Sequence, residues 1–127
     1  MPTLNLIGGW MGMLAGVVSG AVIGLFFHRE DWMGGYQSYR RRLTRLGHIA
    51  FFGLGFLNLL FALSARELFL VGTWLWLASF ALMLGAVTMP LCCFLSAWRK
   101  PFRHLFPVPV LSVTTGILSI LFGWWLR

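Results

Sequence analysis

The sequence predicts an all-α polytopic membrane protein, with four transmembrane helices in one antiparallel bundle and N-out/C-out topology. Three observations predict it. Of 127 residues, 59% are hydrophobic and only 10% are charged, with a mean hydropathy of +0.83; a soluble domain carries about a quarter charged residues. A bilayer crossing takes roughly 20 apolar residues, and four such stretches, about 4–27, 48–63, 65–97 and 109–126, use the chain as a single domain. The bases collect on alternate connections: Arg29, Arg40, Arg41, Arg42, Arg45, Arg99, Lys100 and Arg103 on one side, Arg66 and Arg127 on the other. By the positive-inside rule the first group lies in the cytoplasm and both termini lie outside. Trp74, Trp76, Trp124 and Trp125 then form an outer aromatic belt, and Trp32 and Trp98 an inner one.

Span one carries glycine at Gly8, Gly12, Gly16, Gly20 and Gly24, each four residues from the last. Glycine costs about 1 kcal/mol against alanine in a soluble helix. In lipid, helices associate where small residues let backbones approach, so the stripe is expected to receive another helix. Each step advances about 40° around the helix, and the five sweep about 160°, wider than one straight contact line. Part is expected to pack within the chain and the remainder against a neighbouring molecule, so that Gly16→Leu breaks assembly but not insertion. The segment has no basic leader and exceeds a signal-peptide core, so it reads as a retained helix.

The polar segment from His28 to Gly47 turns at Gly34-Gly35. Beyond the turn, Tyr36, Tyr39, Leu43 and Leu46 recur at helical spacing among the arginines. The pattern predicts a short basic interfacial helix between spans one and two. In span two, His48, Gly55 and Ala62 share a face with Asn58 on its edge, the expected position for interhelical packing and hydrogen bonding. Ser64-Ala65-Arg66-Glu67 fits a capping box that starts the third helix. No charge occurs from Leu68 to Trp98, about 46 Å as helix against about 30 Å of hydrocarbon; tilt, a bend at Pro90, or emergence of the 91–98 end is expected. Its small face holds Gly72, Ser79, Ala86 and Cys93. Pro107 and Pro109 suit the start of span four, which carries Ser112, Gly116, Ser119 and Gly123 on one side.

The candidate chemistry is sparse. His28, His48 and His104 fall at the cytoplasmic boundary, where two facing imidazoles could ligate a b-type haem iron. His48, flanked by Phe51 and Phe52, is the best placed of them; a quinone beside Trp32, Tyr39 and His48 is a related reading. Met89, Cys92, Cys93 and His104 offer soft donors for copper, but adjacent cysteines on a helix diverge by about 100°. Glu30, Asp31 and Glu67 lie outside the spans, which argues against a carrier titrating a group at membrane depth. The serines and threonines of the spans have no neighbouring base, and no enzyme activity or metal site is expected.

The net charge of +7 beside apolar spans points to topology and anionic lipid rather than nucleic acid. Arg40, Arg41, Arg42 and Arg45 are the expected lipid contacts. The expectation is a non-catalytic integral subunit, in a bacterial inner membrane, that assembles with itself or with other membrane subunits. An electron-transfer module with haem or quinone is the alternative, and a small channel or carrier the third reading.

Overall fold

A computed structural model describes residues 2–126 and is all-helical. Four helices are long and apolar enough to cross a membrane: α1 (Pro2–Phe26), α2 (Tyr39–Glu67), α3 (Gly72–Trp98) and α4 (Pro107–Trp125). Short 3-10 segments, Trp32–Gly34 and Lys100–Leu105, lie in the first and third connections. Arg127, counted above with the outer charges, lies outside the described residues.

Each helix packs along the next in sequence, and α1 also touches α3 over a smaller contact. α3 is the most enclosed helix, while α1 and α4 stand at the flanks and expose most of their surface. Along α1 and α2 the contacts run Gly9 to Leu59, Gly12 to Gly55, Gly16 to Phe52 and Gly20 to His48, so numbers rise on one helix as they fall on the other. α4 turns Ser112, Gly116, Ser119 and Gly123 inward. Leu82 fills the space beside Gly116, and Leu70 and Trp74 fill that beside Gly123. Phe61, Ala65, Leu70, Ala78 and Leu82 form a core cluster at the α2–α3 connection.

Two boundaries differ from the sequence expectation. The basic segment is not a separate interfacial helix: α2 runs unbroken from Tyr39, with the arginines in its first two turns and Tyr36 in the turn before it. Ser38 caps α2, accepting from the Arg41 amide at 3.2 Å. Gly47, the last residue of the polar segment, sits mid-helix with the Phe94 ring pressed against it. It is a packing glycine.

Ser64 does not cap α3. Its hydroxyl donates back to the Leu60 carbonyl at 2.7 Å inside α2, as serine does mid-helix. The helix stops three residues later. The Leu70 amide donates to Ala65 and the Phe69 amide to Arg66, each at 3.0 Å, with Phe69 left-handed at φ 52°. This is a Schellman ending, with phenylalanine in the place usually held by glycine. α3 therefore begins at Gly72, not Ala65, and is about 40 Å long with Pro90 inside it.

The register makes a test. A side chain at Gly12 would meet the Gly55 Cα and the Phe51 carbonyl, each at 3.2 Å, whereas Gly24 has nothing within 4 Å. Gly12→Leu is expected to cost at least about 2 kcal/mol and Gly24→Leu less than about 0.5 kcal/mol, read as thermal unfolding in detergent.

Candidate functional site

Two clusters of buried polar side chains stand out in the interior. The first lies where α1, α2 and α3 meet. Asn5 and Asn58 are fully buried, as is Ser79. The Asn5 amide donates to the Asn58 side-chain oxygen at 2.7 Å and to the Ser79 carbonyl at 3.1 Å, while the Ser79 hydroxyl donates to the Asn5 oxygen. Asn58 in turn donates to the Leu54 carbonyl at 2.9 Å and the Leu82 carbonyl at 3.2 Å. Three helices are tied by side chains that satisfy one another, as polar groups in hydrocarbon must. The pattern held a signal for Asn5: the chain has two asparagines, each alone in an apolar span.

The glycine stripe divides as its angular drift requires. Gly12, Gly16 and Gly20 meet α2, joined by Gly9, which the four-residue spacing missed. Gly8 faces Met83 of α3, and Gly24 opens on empty space. Gly55 is buried, and a Cβ there would lie 3.0 Å from the Gly9 carbonyl.

His48 lies in this seam. Its Nδ1 is 3.0 Å from the Ser19 hydroxyl, its ring covers Gly20, and Phe52 meets it edge-on at 5.4 Å. Ser19 also donates to the Gly16 carbonyl at 3.1 Å. His28 and His104 are exposed in the first and third connections. Among the described residues no group of three or more His, Cys, Asp or Glu side chains could hold a metal ion. Of the three histidines His48 alone is half-buried.

The second cluster is the arginine end. Arg41 is 2% exposed and turns inward, so the headgroup contact expected of it is taken by the protein itself. Its guanidinium donates to the carbonyls of Phe27 and Arg29 at 3.1 Å and Glu30 at 3.4 Å. The rings of Phe27, Trp32 and Tyr36 surround it at 5.1 to 5.4 Å. A cation on the carbonyls just past the end of α1 is also favoured by that helix's dipole. The segment joining α1 to α2 is thus folded around one buried charge, with Met33, Gly34 and Gly35 at positive φ.

The other arginines divide the work. Arg40 donates from Nε to the Ala97 carbonyl in the last turn of α3 at 3.1 Å. Arg45 lies 4.0 Å over the Tyr36 ring and donates to the Tyr36 carbonyl. Arg42 is exposed. Lys100 stands over Tyr39 and Arg99 over Trp98.

No protein-family model, no curated protein and no solved structure matches this chain.

Arg41→Gln should cost roughly 2–3 kcal/mol, the scale of hydrogen bonds to a charged group, and open the 27–38 segment to protease; Arg42→Gln should do neither. Asn58→Leu, which strands Asn5, should cost about 1–2 kcal/mol. Asn5→Leu combined with it should add less than its own single cost, a coupling that a double-mutant cycle of unfolding energies measures.

Proposed function

We propose that the chain is a small, non-catalytic integral membrane subunit that packs against a second copy or another membrane helix, with anionic lipid at its arginine end. Its four helices alternate in direction across an inner membrane, with both termini outside and the arginine end in the cytoplasm.

One observation carries this reading. Leu46, Ile49, Gly53, Phe56, Leu60 and Leu63 form an exposed stripe on α2, spaced alternately three and four residues as in paired helices. Gly53 sits in its middle, and a Cβ there would have no atom within 4 Å. The α1 glycines from Gly8 to Gly20 are filled from within the chain; Gly53, like Gly24 at the end of α1, is not. A membrane helix that keeps a glycine on its outer face offers a neighbour a close backbone approach. The interior supports the same reading: Asn5, Asn58 and Ser79 bond one another and tie helices together.

The discriminating pair is Gly53→Leu and Gly16→Leu. Native mass spectrometry of the wild type should show an oligomer, and Gly53→Leu should abolish it while leaving thermal unfolding of the monomer unchanged. Gly16→Leu meets the Phe52 ring and should disrupt the fold itself, not assembly alone. An oligomer that survives Gly53→Leu intact would sink the proposal.

A further inference from the structure

Below the contact of Gly8 with Met83, α1 and α3 part, and a groove of about 330 Å³ opens between them. Met11 and Ala15 form one wall, Ala86 and Val87 the other, and Phe51 and Gly55 of α2 the floor. The groove is apolar and faces outward, so within a bilayer it lies alongside acyl chains.

Its floor points at the arginine end. Arg40 is eleven residues before Phe51, about three turns, which places it within about 20° of the same α2 face and about 16 Å along the axis. On α3 the step from Val87 to Phe94 is two turns, and Phe94 packs on Phe51 at 5.9 Å between ring centroids. One turn on, the Ala97 carbonyl receives Arg40. That bond uses Nε alone, and Arg40 is exposed. Lys100, also exposed, stands 5.4 Å over the ring of Tyr39, the residue before Arg40. A single leaflet of hydrocarbon is about 15 Å deep. The separation of groove and cations therefore matches one acyl chain with its phosphate at the end.

We infer that the α1–α3 groove holds an acyl chain of an anionic phospholipid whose phosphate lies at Arg40 and Lys100. The inference rests on the lipid part of the proposed function and deepens it. It moves headgroup recognition away from Arg41, which is enclosed, to Arg40 on the groove's own α2 face and to Lys100 in the third connection. Charge complementarity selects the occupant: a neutral helix would fill the groove but leave the cations unmatched.

The test uses the whole chain reconstituted in vesicles of phosphatidylcholine with phosphatidylglycerol. Lipid retained after detergent extraction is quantified by mass spectrometry, and oligomeric state is read on the same samples. Wild type should retain phosphatidylglycerol over phosphatidylcholine. Arg40→Gln with Lys100→Gln should lose that preference, roughly fivefold for each cation. Ala86→Phe and Ala15→Phe should fill the groove and release the lipid with helicity unchanged. A second measurement needs only wild type: phosphatidylglycerol with a photoreactive acyl chain should label peptides of α1 and α3 at the groove well above those of α4.

Retention unchanged in both groove variants, or uniform labelling of the helices, overturns the groove while leaving lipid at the arginine end standing. No headgroup preference in wild type overturns both. An oligomer lost on filling the groove, with lipid content unchanged, assigns the groove to a second copy and overturns the inference.

Discussion

Where Gly12 lies against Gly55, no side chain separates the backbones of α1 and α2, and that approach sets the register of the whole inner layer. With the two helices held there, Gly16 receives the Phe52 ring and Gly20 the His48 ring. One end of the same register brings Asn5 to Asn58, and the other brings Ser19 to His48. Without a hydrophobic drive between helices in lipid, close packing and a few hydrogen bonds are what remain to hold them. Here the two work together: the glycines supply the proximity that the asparagines need, and the asparagines fix which register the glycines adopt.

The arginine end obeys a different constraint. Among the described residues no carboxylate meets the guanidinium of the enclosed Arg41; carbonyls and aromatic faces take that role. Its enclosure costs solvation, and the return is a connection folded closely over the end of α1. Arg40 ties the start of α2 to the end of α3. Charges that look alike in the sequence thus separate into those that hold the fold and those, such as Arg42, that face outward.

The four helices arrange as a chain of neighbours. α3 carries most of the enclosure, α1 leans on it near Gly8, and α4 covers its other side through Ser112, Gly116, Ser119 and Gly123. The divergence of α1 from α3 below Gly8 follows from the glycine drift: a stripe that turns about 40° at each step cannot follow one straight neighbour throughout. The groove is the space this leaves.

The sequence by itself determined the four apolar helices. Hydropathy and length act locally, so spans one and four came within two residues of their observed limits at either end. It also determined the small face of α4, where Ser112, Gly116, Ser119 and Gly123 are all buried; on α3 the same spacing named Gly72, which is exposed at the helix start. Only the tertiary structure decided where α2 ends, since a left-handed Phe69 carries no glycine to announce it. Only the structure showed that Arg41 turns in while Arg42 turns out, that Gly9 replaces Gly8 in the seam, and that Asn5 is the partner of Asn58. Each of these depends on which atoms arrive from a distant part of the chain, and a residue's own type and spacing carry no record of that.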